Sequence, residues 1–244
     1  MQSCVTGAAR DSEVGNDYFR ADMECTHDIV SRRDGGMQLL FAVWLHNYEE
    51  QRRTYATENA RLRTAPAVIT GDSIAHFFTP DRLQKYVTSM PVLNRGIAGD
   101  STPTLANRLD ADVLALNPEY VIISIGGNDL IQGRCLPDAL RETRNIIQRA
   151  KRNGKSRVIL VSVPPVIMWK ANAIVPYYNW QLLYLTQEIN GVTYLDLWPE
   201  LSRTDTPGLR PEFHQHLPDG TLDRAHFNEQ GYAIFGRLLD NLLQ

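Results

Sequence analysis

The sequence predicts a three-layer α/β/α domain on a five-stranded parallel sheet, preceded by a mainly helical N-terminal extension. Three observations carry that expectation. Between residues 67 and 243, five short runs rich in Val, Ile and Leu alternate with longer stretches of helical composition. Polar, glycine-containing clusters follow the first three of those runs. Residues 37–63 contain neither Gly nor Pro, so a long helix leads into the domain.

Taken in order, residues 1–36 are polar, carry Gly15, Gly35 and Gly36, and show no clear period. The helix expected over 37–63 is closed off by Pro66, which sets a boundary between an extension, 1–65, and a main domain, 66–244. Strands are expected at Ala67–Thr70, Val92–Ile97, Tyr120–Ile125, Arg157–Val163 and Val192–Leu197. Helices are expected at Thr104–Leu114, Pro137–Arg152, Tyr177–Ile189 and Gly231–Leu243. β-branched runs separated by helices imply right-handed crossovers, hence parallel strands covered on both faces. Such sheets bind ligands at the carboxyl ends of their strands.

Composition narrows the function. A net charge of −3 with scattered Lys and Arg offers no footprint for nucleic acid and no polybasic patch for anionic membranes. The apolar run Met37–Leu45 falls short of the roughly 18 residues needed to span a bilayer. It follows Arg32-Arg33 but lacks a small-residue cleavage site, so it reads as helix rather than signal peptide. The default compartment is the cytoplasm, with periplasmic or secreted as the alternative, because a trimmed exported chain would read the same way. Cys4, Cys25 and Cys135 show no CxxC spacing, so neither a zinc site nor a disulfide framework is indicated; a Cys4–Cys25 bridge would suit an exported chain.

Four polar clusters stand where such a sheet would place a site: Gly71-Asp72-Ser73-Ile74, Gly99-Asp100-Ser101-Thr102, Gly126-Gly127-Asn128-Asp129 and Asp223-Arg224-Ala225-His226. Each alone has a bland reading as a turn, a helix cap or a surface ion pair. Together they offer what acyl transfer needs: a hydroxyl nucleophile, a base, a carboxylate to orient the base, and donors for an oxyanion.

GDSI, NRGIAGD, GGND and DRAH, in that order, resemble the four sequence blocks of the SGNH (GDSL-like) hydrolase superfamily over about residues 67–244. The resemblance implies a flavodoxin-like sheet and a serine esterase needing no metal or organic cofactor. It makes Ser73 the nucleophile and a backbone oxyanion donor, Gly99 a second backbone donor and Asn128 a side-chain donor. His226 becomes the general base and Asp223 the residue that holds its ring.

Rivals exist within the chain. Ser101 sits in a second Gly-Asp-Ser triplet but follows the second strand. Asp219 competes with Asp223, which alone has the family's spacing to the histidine. His214 and His216 have no ordered set of metal partners and read as a loop lining the cleft. Gly71-x-Ser73-x-Ala75 approaches the elbow of α/β-hydrolases, but no HGGG-like segment precedes it.

Phe77, Phe78, Trp169, Tyr177, Tyr178 and Trp180 are aromatic candidates for a cleft, with core packing the commoner fate of any one of them. Trp169 and Lys170, after the fourth strand, are the substrate-contact candidates. The resemblance is strongest to acetylhydrolases and small carbohydrate esterases, so the expected substrate is a small acyl ester, acetyl on a carbohydrate. A lysophospholipase or thioesterase is the enzymatic alternative, and a partner-binding module on a hydrolase fold the non-enzymatic one. The extension's apolar helix could pack on the domain or form a homodimer contact.

Overall fold

The computed structural model describes residues 35–167 and 169–244, with side chains described for 44–167 and 171–244. One sheet holds five parallel strands, β1 (Ala67–Gly71), β2 (Val92–Gly96), β3 (Tyr120–Ser124), β4 (Arg157–Val161) and β5 (Val192–Leu195). Their spatial order is β2-β1-β3-β4-β5, the flavodoxin-like order, which places a topological switch point between β1 and β3. Around the sheet run α1 (Gly35–Leu62), α2 (Ser73–His76), α3 (Pro80–Tyr86), α4 (Thr102–Asp112) and α5 (Gly127–Ile131). They are followed by α6 (Leu136–Ala150), α7 (Trp169–Asn172), α8 (Val175–Glu188), α9 (Trp198–Leu201) and α10 (Glu229–Leu242). A hairpin of β6 (His214–His216) and β7 (Leu222–Phe227) stands apart from the main sheet.

Both central strands are buried at every position, which is why they read as continuous apolar runs. Alternation divides them between two cores. Val68, Val121, Ile123 and Leu160 meet Leu105 and Leu109 of α4, Ile146 and Ile147 of α6, and Leu182 of α8. Ala67, Ile69, Ile122 and Val161 face the other way, onto Leu83 of α3 and Phe235 and Leu239 of α10. Each fully buried branched side chain contributes about 1.5–3 kcal/mol relative to an exposed one. A third, smaller cluster joins α1 to the domain through Trp44, Tyr48, Tyr55 and Ile97.

Element ends differ from expectation where side chains take over the backbone's partners. Arg157–Val163 stops being strand at Val161, because the Val163 N–H donates to Asn179 Oδ1 at 2.8 Å instead. The helix expected from Thr104 starts at Thr102, with Pro103 in its first turn. Asp223 and His226 lie on β7. His214 and His216, expected on a cleft-lining loop, form β6. Cys135, just before α6, is disulfide-bonded, a pairing the cysteine spacing did not indicate; Cys4 and Cys25 lie outside the described residues. Among the described residues, no helix is long and apolar enough to cross a membrane.

Register brings Gly71 level with Gly96 on one side and Ser124 on the other, so the functional loops leave the sheet from a common edge. Gly71 has φ +138, and a Cβ there would lie 1.7 Å from the Ser124 carbonyl oxygen. Gly71→Ala is therefore expected to destabilise the protein by at least about 3 kcal/mol, from backbone strain plus overpacking, as read by urea denaturation. A loss under about 1 kcal/mol would contradict this account of the β1 exit.

Candidate active site

From Gly71 the chain turns into α2, with Asp72 as its cap. Asp72 Oδ1 accepts the Ile74 N–H at 3.0 Å, and the Asp72 N–H donates to Ser124 O at 3.0 Å. Ser73 is thus the first residue of a short helix held from below by β3. Its Oγ lies 2.8 Å from His226 Nε2. His226 Nδ1 lies 2.8 Å from Asp223 Oδ2. With the Nδ1 proton donated to the carboxylate, Nε2 is left to accept from the Ser73 hydroxyl. The other oxygen of Asp223 accepts the N–H groups of Ala225 at 2.9 Å and His226 at 3.1 Å. Burial pushes the Asp223 carboxyl up, but those N–H donors and the imidazole outweigh it and leave the group below its ordinary range.

The hairpin that carries His226 is itself tied down. Asn228 caps α10 through its Oδ1, and its amide donates to Glu212 O at 2.8 Å and His214 O at 3.1 Å. Phe77 stands edge-on to the His226 ring, 4.9 Å between centroids at 88°. The two rings thus pack perpendicular to each other, while Nε2 of the imidazole points at Ser73.

On the other side, Asn128 of α5 donates Nδ2 to Asp100 O at 2.8 Å, which spends one of its two amide hydrogens. Asp129 accepts from Thr102 N at 2.9 Å and Thr102 Oγ1 at 2.7 Å, so the Gly126–Asp129 turn is pinned to the start of α4. Gly99 has φ +87 and lies against the Trp44 indole. Beneath it, Asp100 and Arg108 form a fully buried ion pair. Arg108 also donates to Arg95 O at 2.7 Å and reaches Gly71 O at 3.3 Å, bridging the exits of β1 and β2. Burial raises the Asp100 carboxyl to about 6 and the Asp72 carboxyl to about 7.

Ser73 and Asn128 line one small cavity together with Asp72, Gly127, Ile131, Val163, Pro164, Val166 and Ala225. Its volume is about 40 Å³. The cavity is lined mainly by apolar side chains and opens to solvent beside the half-exposed Ile131.

Of the residues predicted from sequence, the structure brings together Ser73, Asp223 and His226, and it brings Asn128 to the same cavity. Gly99 is not among the lining residues; it adjoins the cavity through Asp100, whose carbonyl Asn128 holds. The rivals are occupied elsewhere. Ser101 is buried at the start of α4, where its N–H donates to Thr104 Oγ1 at 2.8 Å. Asp219 accepts from Thr221 in the exposed hairpin turn. His214 Nε2 lies 3.2 Å from Leu209 O. Phe78 and Tyr178 are fully buried core residues, while Trp180 is exposed on α8. The backbone of Trp169 and Lys170 opens α7, but their side chains lie outside the described residues. Sequence reasoning missed Trp44 and the Val163–Val166 wall. The prolines at 164 and 165, directly after a strand, were the available signal for the wall.

The raised Asp72 has a consequence for stability. An unfolded Asp titrates near 3.9, so between about pH 4 and about pH 7 the folded chain holds a proton that the unfolded chain releases. Stability attributable to Asp72 therefore falls as pH rises through that window. Asp72→Asn keeps an acceptor for the Ile74 N–H and removes the titration. Its Tm should match the wild type near pH 4 and exceed it by several degrees at pH 8. A gap independent of pH would contradict the buried-carboxyl account.

Residues 57–234 match the GDSL-like lipase/acylhydrolase family. No curated protein matches the chain. Among solved structures, a Streptococcus pneumonia protein provisionally named for platelet activating factor superposes with a TM-score of 0.75 at 24% identity, covering 86% of this chain and 98% of that one. A GDSL-like lipase from Bacteroides thetaiotaomicron gives 0.66 at 21% identity, over 79% and 96% of the two chains. An acetylxylan esterase from Geobacillus stearothermophilus gives 0.58 at 19% identity, over 72% and 93%. These likenesses establish the common fold, and the family match spans well over half of the 244 residues. The chain belongs to the GDSL-like lipase/acylhydrolase family and is a carboxylic ester hydrolase.

Proposed function

We propose that the enzyme removes short acyl groups, foremost acetyl, from carbohydrate esters through an acyl-Ser73 intermediate. The observation that carries this reading is the continuous chain Asp223–His226–Ser73, 2.8 Å at each link, opening on a cavity of about 40 Å³. His226 Nε2 takes the Ser73 proton as Oγ attacks the ester carbonyl carbon. Asp223 keeps the ring oriented and stabilises the imidazolium. The oxyanion is met by the backbone N–H groups of Ser73 and Gly99 and by the second N–H of Asn128. His226 then returns the proton to the departing alkoxide. Water, deprotonated by the same imidazole, attacks the acyl-serine to release the acid and restore the hydroxyl. No metal enters this scheme.

The small, mostly apolar cavity beside Ser73 supports a short acyl group such as acetyl. A lysophospholipase would need room for a long chain, whereas the lining contributed by Ile131, Val163 and Val166 is short and apolar. Carbohydrate as the alcohol is supported by the likeness of fold to the Geobacillus acetylxylan esterase. The catalytic unit in this proposal is residues 66–244, with 1–65 as an extension leaning on it.

The test is hydrolysis of p-nitrophenyl acetate, butyrate and octanoate, alongside acetylated xylan and lysophosphatidylcholine. Ser73→Ala and His226→Ala should each lose about 10⁴-fold or more in kcat. Asn128→Ala should lose about 10²–10³-fold, and Ser101→Ala should stay near wild type. Acetate should be preferred over octanoate, with acetate released from the xylan. Octanoate preference with turnover of the lysophospholipid would overturn the short-acyl reading. An inactive Ser101→Ala beside an active Ser73→Ala would overturn the nucleophile.

A further inference from the structure

The helix that precedes the domain presents one face to the segment carrying Gly99. Trp44, Tyr48, Arg52, Tyr55 and Asn59 recur at intervals of three and four residues, so α1 directs them to one side. Every one of them bonds to the stretch from β2 to the end of α4. Tyr55 Oη donates to Gly96 O at 2.6 Å, Trp44 Nε1 to Ala98 O at 3.0 Å and Tyr48 Oη to Thr104 O at 3.1 Å. Arg52 pairs with Asp112 at 3.3 Å. Asn59 accepts two N–H groups of Arg95, at 3.0 and 2.7 Å, and donates to Asp112 O at 3.0 Å.

Three carbonyls, two before Gly99 and one after it, are thus held by aromatic donors from a single helix. At Gly99 itself the contact is closer still. A Cβ built there would lie 2.2 Å from both Cδ1 and Nε1 of Trp44. The space that the missing side chain leaves is filled by the indole. With φ at +87, the peptide planes on both sides of Gly99 have no side chain of their own to lock them. The Trp44 wedge and its bond to Ala98 O supply that lock.

We infer that Trp44 is a positioning residue for the oxyanion hole, with α1 acting as the splint that aims the Gly99 N–H at the reacting carbonyl. This rests on the proposed role of Gly99 as an oxyanion donor. An oxyanion donor works only when its direction is set before reaction, and a displacement of about 1 Å can cost about 10²-fold in rate. Trp44 bonds to Ala98 O and packs on Gly99, so its effect on the reaction passes through that loop.

Three variants, made in the full chain, test this: Trp44→Ala, Trp44→Phe and Asn128→Ala, with Trp180→Ala as an exposed-tryptophan control. On p-nitrophenyl acetate, Trp44→Ala should lower kcat by about 10- to 100-fold while KM stays within about 2-fold, since the interaction exists only in the transition state. Trp44→Phe keeps the wedge and deletes only the donor to Ala98 O, so its kcat should fall between wild type and Trp44→Ala. It also stands as the readout if Trp44→Ala does not fold. Combining either Trp44 variant with Asn128→Ala should cost less than the product of the single losses, because both act on one hole. Trp180→Ala should keep wild-type kcat.

Wild-type kcat in both Trp44 variants, with Asn128→Ala slow, would overturn the inference and leave the oxyanion reading standing. Losses that multiply in the double variant, or that track a fall in Tm, would overturn it in favour of general support of the fold. Wild-type kcat in Asn128→Ala would remove the oxyanion reading and this inference with it.

Discussion

A single hydrogen bond, Ser73 Oγ to His226 Nε2, joins residues 153 positions apart, and most of the architecture can be understood as what holds its two ends at 2.8 Å. One end is fixed by the parallel sheet. Gly71 and Ser124 are in register, Asp72 hangs from the Ser124 carbonyl, and Ser73 follows at once. The other end is fixed by the β6–β7 hairpin, which has little apolar surface of its own and is held by Asn228 and by Phe227 against Tyr232 of α10, 4.5 Å between centroids. A loop would place Asp223 and His226 at the same spacing along the chain. The strand adds a direction, because the two backbone N–H groups that Asp223 accepts are those of Ala225 and of His226 itself.

The same region concentrates buried charge. Asp72, Asp100 and Asp129 are all almost fully buried, and burial raises all three. Such groups are tolerated where partners meet them: Thr102 for Asp129, Arg108 for Asp100, the Ile74 N–H for Asp72. Removing one member of a buried pair such as Asp100–Arg108 costs about 3–5 kcal/mol, whereas an apolar pair of similar volume would often be no less stable. What an apolar pair could not do is reach Arg95 O and Gly71 O at once and hold the β1 and β2 exits together. Stability is given up locally, and loop geometry is obtained in return.

Much of this was legible in the sequence, for identifiable reasons. β1 and β3 are buried on both faces, so their β-branched runs stand out without any need for alternation. Gly71, Gly99, Asn128, Asp223 and His226 could be marked because their four clusters, each bland alone, stand in one order after successive strands and before the last helix. The hairpin was illegible, since His214–His216 is three polar residues and Leu222–Phe227 mixes charge with apolar positions, neither resembling a core strand. The working face of α1 was illegible for a different reason. Trp44, Tyr48 and Tyr55 point polar atoms at backbone carbonyls of a segment some 50 residues later in the chain, and no local period encodes that destination. Val163, the start of the Val163–Val166 wall, was read as the end of a strand, because only the tertiary bond from Val163 to Asn179 ends β4 where it does.

The central claim is the proposal that the Ser73 hydroxyl is the one activated by His226. It is tested most directly by labelling the enzyme with a fluorophosphonate, which phosphonylates an activated serine irreversibly, and locating the adduct by peptide mass spectrometry. The account predicts one adduct per chain, on the peptide containing Ser73, absent from Ser73→Ala and strongly slowed in His226→Ala. An adduct on Ser101, or labelling that is indifferent to His226, would contradict it.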